Sequence, residues 1–99
     1  MSHRFKNIIK SQGLVLVDFY ADWCQPCQKL QSVLKEVKTT YKDNIRVVKV
    51  NVDKNPFIAS EFQVKSIPTL ILFKSGNLKW TGVGMYNASD LKDIIQNVV

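Results

Sequence analysis

The residues best suited to chemistry are the two cysteines, which are separated by two residues in Trp23-Cys24-Gln25-Pro26-Cys27. A cysteine thiolate is a strong nucleophile, and a second cysteine so close can attack a mixed disulfide that the first has formed. Cys24 lies where an apolar run ends and helical periodicity begins, and the N-terminus of a helix stabilises a thiolate. Pro26 fits the first helical turn, where its missing N–H costs nothing.

Two other uses of the cysteine pair are less consistent with the sequence. A closed zinc site needs four Cys or His ligands, and this chain offers only Cys24, Cys27 and His3, so we expect no metal. A purely structural disulfide between such near neighbours would remove little entropy from the unfolded chain. Redox chemistry is therefore the leading interpretation.

Two charged residues lie inside runs that read as buried strands. Asp18 is part of Val15-Leu16-Val17-Asp18-Phe19-Tyr20, and Lys49 follows Val47-Val48. Burial would raise the pKa of the carboxyl group and make Asp18 a proton acceptor near neutral pH. The favoured explanation is that the two strands are neighbours and the charges pair. The alternative is that each side chain escapes to solvent at a strand end.

Pro68 and the two tryptophans need separate interpretations. Proline has no N–H and belongs at the start or edge of a strand, and Ile67-Pro68-Thr69 precedes a strong apolar run. The motif alone does not establish a cis bond.

Trp23 either lines a substrate surface or covers the sheet edge, and the adjacent cysteine favours the first. Trp80 is interpreted as a packing or partly exposed residue without an assigned function, and His3 as a surface residue.

Hydrophobic periodicity predicts the element order α-β-α-β-α-β-β-α. The predicted helices cover residues 4–11, about 24–41, 57–62 and a last one capped by Ser89, and the strands cover 14–20, 45–52, 69–73 and 78–83, with a hairpin turn at 74–77. Early strands joined by helices pair in parallel, whereas the closing hairpin is antiparallel. The expected fold is a three-layer α/β/α arrangement around a mixed sheet of about four strands.

Composition and charge limit the classes of protein to which the chain can belong. The chain has 99 residues and a net charge of +6, and we expect a single domain over residues 1–99. The lysines are spread along the chain rather than clustered, so we expect no nucleic-acid binding. No apolar run approaches the roughly 18 residues of a membrane span, and the N-terminus lacks the apolar core of a secretion signal. We expect a cytoplasmic monomer, although a periplasmic or secreted domain without its leader would look the same.

Together these features resemble the thioredoxin family from about Leu14 to Val98. The matching motifs are 17–27 around the cysteines, Lys49-Val50-Asn51-Val52-Asp53, Ile67-Pro68-Thr69, Phe73-Lys74-Ser75-Gly76 and Gly84. The resemblance implies the thioredoxin fold and the reduction of protein disulfides. It also implies that the reversible Cys24–Cys27 disulfide is the redox group. Electrons would come from a separate thioredoxin reductase that uses NADPH and flavin.

The resemblance also implies a role for each matched residue. Cys24 would be the exposed attacking thiol and Cys27 the buried resolving thiol, with Asp18 helping to deprotonate Cys27 and Lys49 as the charge partner of Asp18. Pro68 matches the cis-proline of the family, and the implied substrate groove is formed by Trp23, Ile67, Pro68 and Gly84.

The chain departs from the family pattern at four points. Gln25 stands where the usual motif has glycine, which leaves the reduction potential open, and Tyr20 stands where many members have tryptophan. Ser32 replaces a proline that kinks the long helix, so we expect a straighter helix, and the first strand of the family is missing. Two rival functions remain. One is a disulfide-forming or isomerising enzyme of an oxidising compartment, and the other is a non-catalytic binding module.

Overall fold

A computed structural model of the protein describes residues 3–11 and 13–99. The elements are α1 (His3–Lys10), β1 (Leu14–Tyr20), α2 (Gln25–Tyr41), β2 (Ile45–Asn51), α3 (Pro56–Glu61), β3 (Thr69–Lys74), β4 (Asn77–Val83) and α4 (Ala88–Val98), with a 3₁₀ turn at Lys42–Asn44. The four strands form one sheet in the order β2-β1-β3-β4. β1 and β2 are parallel, and β3 is antiparallel to both β1 and β4. The predicted element order and mixed sheet are confirmed. The parallel pairing expected of strands joined by helices holds for β1 and β2 but is wrong for β3, which runs antiparallel to β1.

β1 is central to the fold because both of its faces are buried. Leu14 and Leu16 point into a core that α2 and α4 complete. A second core on the opposite face of the sheet contains Val15, Val17 and Phe19. It also includes Phe5 and Ile9 of α1 and partly buried side chains between β2 and β3, such as Phe62. A strand with two apolar faces requires a layer of packing on each side, which gives the three-layer architecture.

The helix that follows β1 begins directly after the first cysteine. Cys24 is the N-cap residue of α2, and Pro26 lies within the first turn, as the sequence predicts. α2 is continuous from Gln25 to Tyr41. Its inner face carries Leu30, Leu34 and Val37 into the core. The helix therefore fixes the cysteines at one end and the apolar core along the rest of its length.

The predicted cap of the last helix is wrong by two positions. The N-cap residue of α4 is Asn87, whose side-chain oxygen accepts a hydrogen bond from the N–H of Asp90 at 2.7 Å. Ser89 lies inside the helix. Both residue types cap helices well, and here Asn87 has the extended backbone of a cap residue.

The hairpin of β3 and β4 is tighter than predicted. The strands run to Lys74 and resume at Asn77, so only Ser75 and Gly76 connect them, with φ values of 50° and 85°. Two positive φ angles suit the right-handed twist of the flanking strands. Trp80 of β4 packs edge-on against Tyr86, with ring centroids 5.2 Å apart, consistent with the packing role predicted for it.

No helix of residues 3–11 and 13–99 combines the length and the apolar character needed to cross a bilayer.

Candidate active site

Cys24 and Cys27 form a disulfide at the start of α2, with their Cα atoms 5.3 Å apart. Cys24 is 4% and Cys27 1% exposed. The expectation of an exposed Cys24 is therefore wrong for this disulfide form, although Cys24 is the more accessible of the two. The reason is local packing, because Ala21, Tyr20 and Ile67 form an apolar cluster with both cysteines.

The N-terminus of α2 determines the electrostatic environment of the disulfide. The backbone N–H of Cys27 donates to the sulfur of Cys24 at 3.2 Å. The first turn contains no acidic residue, so no carboxylate within that turn opposes the positive end of the helix dipole at the sulfur. After reduction, this donor and the dipole favour the thiolate form of Cys24 over the thiol. Gln25 and Pro26 are exposed in the same turn.

Asp18 is a fully buried carboxyl group on β1. Burial raises the pKa of Asp18, whereas a hydrogen bond from Gln31 and the charge of Lys49 lower it, and burial has the largest effect. A carboxyl group with a raised pKa binds a proton more readily near neutral pH. The environment of Asp18 is therefore suited to proton transfer.

Lys49 lies beside Asp18, but the direct pairing expected from the sequence is absent. The two residues are partners in the parallel register of β1 and β2. However, Oδ2 of Asp18 accepts its hydrogen bond from Gln31, and Oδ1 has no hydrogen-bond partner. Lys49 is exposed, because β2 is an edge strand that lets the long side chain reach solvent. Its charge thus acts on Asp18 through space.

A cavity of about 230 Å³ lies next to these groups. It is lined by Tyr20, Ala21, Asp22, Cys27, Gln28, Gln31 and Lys49. The resolving cysteine and the residues that act on Asp18 therefore share one opening.

The residues predicted to form the groove lie around the disulfide. The Ile67–Pro68 peptide bond is cis, and Ile67 packs against the cysteines. The carbonyl oxygen of Pro68 accepts a hydrogen bond from the N–H of Gly84 at 2.9 Å. Gly84 has a φ of 95°, which glycine adopts without the strain of a side chain. This contact places the end of β4 next to the cis-proline.

Trp23 is 70% exposed, so it forms surface next to Cys24 rather than covering the sheet. Its indole N–H donates to Oδ2 of Asp53 at 2.9 Å. An exposed ring held by a hydrogen bond offers a preformed apolar contact for a binding partner.

Sequence reasoning assigned no role to several residues of this site. Val83 and Met85 flank Gly84 and are 59% and 48% exposed, so they add exposed apolar surface next to the Gly84–Pro68 contact. Asp53 belongs to the Lys49–Asp53 motif, but the motif gives no sign that Asp53 accepts the hydrogen bond of the Trp23 indole. The position of Gln31 could have indicated a role in the site, because Gln31 lies one helical turn after Cys27 on the same face of α2.

Nothing in the described residues suggests a metal centre. No group of three or more His, Cys, Asp or Glu side chains in residues 3–11 and 13–99 is arranged to hold an ion. The two cysteines are bonded to each other, and His3 is exposed on α1.

Comparison with known proteins points to one family. The family model described as Thioredoxin matches residues 1–97. The chain is 40% identical over 92 residues to a thioredoxin of Rickettsia bellii, covering 93% of this chain and 88% of the relative. It is 42% identical over 85 residues to a thioredoxin of Acidithiobacillus ferridurans, covering 86% and 79%. The oxidised mitochondrial thioredoxin 3 of Saccharomyces cerevisiae has a similar structure, with a TM-score of 0.85, 37% identity and coverage of 95% and 87%.

Proposed function

This chain belongs to the thioredoxin family and is a thiol–disulfide oxidoreductase, and from that premise we propose how it reduces protein disulfides. The observation that carries the proposal is the position of Cys24, whose sulfur accepts the Cys27 N–H at a helix N-terminus. A donor at that sulfur favours the thiolate, which is the nucleophile in disulfide exchange.

In the first step the thiolate of Cys24 attacks one sulfur of a substrate disulfide. A new bond joins Cys24 to that sulfur, the substrate disulfide breaks, and the other substrate sulfur leaves as a thiolate and takes a proton from water. The apolar surface of Trp23, Ile67, Val83 and Met85 around the disulfide supports docking of a protein substrate at this point, because exposed apolar patches mark interaction sites.

In the second step Cys27 attacks Cys24 and releases the substrate. The Cys27 thiol gives its proton to Asp18, the Cys24–Cys27 bond forms, and the second substrate sulfur leaves as a thiolate that is then protonated. The substrate gains two electrons and two protons, and the protein ends as the disulfide found in the structure. The proton-acceptor role of Asp18 is supported by its burial, which raises its pKa, and by the Cys27-lined cavity beside it.

Further turnover requires an external reductant. The Cys24–Cys27 dithiol stores one electron pair, so each cycle needs two electrons from a partner, whereas the protons are exchanged with solvent. We assign this role to a flavin-containing thioredoxin reductase that uses NADPH, with the protein acting as a monomer in the cytoplasm. A role in passing electrons from such a reductase to protein disulfides is supported by the family and by the dithiol chemistry.

Insulin reduction with dithiothreitol as recycling reagent tests the activity. We expect insulin to precipitate much faster with the protein than without it, and Cys24→Ser to abolish the acceleration. A Cys24→Ser variant as fast as the parent protein would refute the mechanism. The reduction potential of the dithiol tests whether the protein reduces or forms disulfides. A value far above the cytosolic glutathione range would indicate a disulfide-forming enzyme.

A further inference from the structure

Gln31 joins the two residues that the resolving step uses. Its side-chain nitrogen Nε2 donates to Oδ2 of Asp18 at 3.0 Å and to the carbonyl oxygen of Cys27 at 3.2 Å. A glutamine amide carries two N–H donors, and these two contacts use both. The buried carboxyl group is therefore tied to the backbone of the resolving cysteine through one side chain.

The other oxygens of the same pair have no partner. Oδ1 of Asp18 and Oε1 of Gln31 are both buried without a hydrogen bond from any described residue. A buried acceptor without a donor is costly, and most costly when it carries charge. Because Oδ2 already accepts the amide hydrogen, Oδ1 is the oxygen of Asp18 that gains most from a proton.

We propose that Gln31 is a positioning residue for the resolving step, which holds Oδ2 of Asp18 so that Oδ1 receives the proton of Cys27. The proposal rests on the proton-acceptor role given to Asp18 above. In this step the S–H bond of Cys27 breaks and an O–H bond forms at Oδ1. The Cys27 sulfur then bonds to Cys24 as the bond between Cys24 and substrate breaks, and the departing thiolate takes up a proton.

The charges around Asp18 define the effect expected on removing Gln31. Lys49 of β2 faces the carboxyl group as a cation, Cys27 shares α2 with Gln31, and Tyr20 and Asp22 line the adjacent cavity. The β3 neighbour of Asp18 is the neutral Leu70. Gln31 and Lys49 both lower the pKa of Asp18 against the effect of burial. Without the amide donor the pKa of Asp18 rises, and less carboxylate is available at neutral pH.

The chain provides a matched control on the same helix. Gln28 is also a glutamine of α2, but its amide donates to the carbonyl oxygen of Asp22 at 3.0 Å and not to Asp18. Methionine has nearly the shape of glutamine and no N–H donor. Gln31→Met and Gln28→Met therefore differ in whether the donor to Asp18 is removed.

The test follows the lifetime of the mixed disulfide. Each reduced protein is mixed with a disulfide-linked peptide, quenched with acid after set times and analysed by mass spectrometry. For Gln31→Met we expect the Cys24–peptide species to persist roughly tenfold longer below neutral pH, as for loss of a hydrogen bond to a charged group, and to approach the parental lifetime at high pH. Gln28→Met should follow the parent protein at every pH. Equal lifetimes for the two variants would overturn the proposal.

Two further measurements separate a positioning role from a structural one. The ¹³C signal of the Asp18 carboxyl group should titrate at higher pH in folded Gln31→Met than in Gln28→Met. In an Asp18→Asn background, Gln31→Met should lengthen the mixed-disulfide lifetime no further, whereas an added delay would show that Gln31 does not act through Asp18. Gln31→Leu replaces Gln31→Met if the latter does not fold. Loss of mixed-disulfide formation itself in the parent protein would instead refute the proposed function.

Discussion

The sulfur of Cys24 accepts a hydrogen bond from the backbone N–H of Cys27, which makes the two cysteines chemically unequal. Cys24 lies at the N-cap of α2, and Cys27 lies one turn into the helix, where it is almost completely buried. The N-cap position favours the thiolate form of Cys24, whereas burial keeps the thiol of Cys27 from reacting before Cys24 does.

This inequality predicts different outcomes for the two serine variants. Cys24→Ser should reduce insulin no faster than the background, because the nucleophile is lost. Cys27→Ser should react once and then accumulate a stable mixed disulfide at Cys24. Iodoacetamide at neutral pH, analysed by mass spectrometry, should label Cys24 of the reduced protein first. Preferential labelling of Cys27 would reverse the assignment of the two roles.

The elements that carry strong local patterns could be predicted from sequence, and the contacts between distant residues could not. β1 was predictable because every residue from Leu14 to Phe19 is buried, which leaves an unbroken apolar run apart from Asp18. The contact of Gln31 with Asp18 joins a helix to a strand and leaves no periodic signal, since a glutamine on a helix usually faces solvent. The neighbourhood of Pro68 and the disulfide was accessible only through the family resemblance.

The two caps illustrate the same limit at short range. The sequence places Cys24 at the start of α2, because an apolar strand ends shortly before it and Pro26 follows. At α4, Asn87 and Ser89 are both good cap residues, and only the backbone geometry decides between them. Sequence therefore predicts that α4 exists more reliably than where it begins.

The burial of Asp18 predicts a characteristic dependence of stability on pH. Its raised pKa means that the folded protein binds the proton more tightly than the unfolded chain. Stability is therefore lost as the pH rises from the ordinary pKa of aspartate through the raised pKa of Asp18. Asp18→Asn removes this charge, and we expect the variant to be about 1–3 kcal/mol more stable at neutral pH than the parent protein. Urea unfolding of the oxidised proteins over a pH series measures the difference.

A suitable control for this prediction is Asp93→Asn, since Asp93 is exposed on α4. It should keep the pH dependence of the parent protein. If Asp18→Asn loses stability at neutral pH, the cost of the buried charge has been overestimated relative to its contacts with Gln31 and Lys49.

The charge of Lys49 predicts a second pH effect with a different salt dependence. Lys49→Met removes the cation that lowers the pKa of Asp18, so the carboxyl group should titrate at higher pH. The resolving step should slow below neutral pH. Because Lys49 is exposed and acts through space, added salt should reduce the difference between Lys49→Met and the parent protein. Lys54→Met, at an exposed lysine beyond the end of β2, should change neither the pH at which Asp18 titrates nor the rate of the resolving step. A comparable effect of Lys54→Met would show that the net charge of the protein causes the change.

The apolar surface beside Gly84 predicts a variant that separates substrate binding from chemistry. Met85 is 48% exposed next to Gly84, whose N–H contacts the carbonyl oxygen of Pro68. A glutamate at this position would place a charge where a protein substrate must dock, and losing one apolar contact costs about 1 kcal/mol, or roughly fivefold in binding. Met85→Glu should therefore raise KM for a protein disulfide about fivefold while its rate with a small aromatic disulfide stays unchanged. Leu78→Glu is the matched control, because Leu78 is also exposed but lies near the start of β4, where it pairs with Phe73, whereas Met85 follows the other end of the strand. An equal rise in KM for both variants would locate the docking surface away from the disulfide.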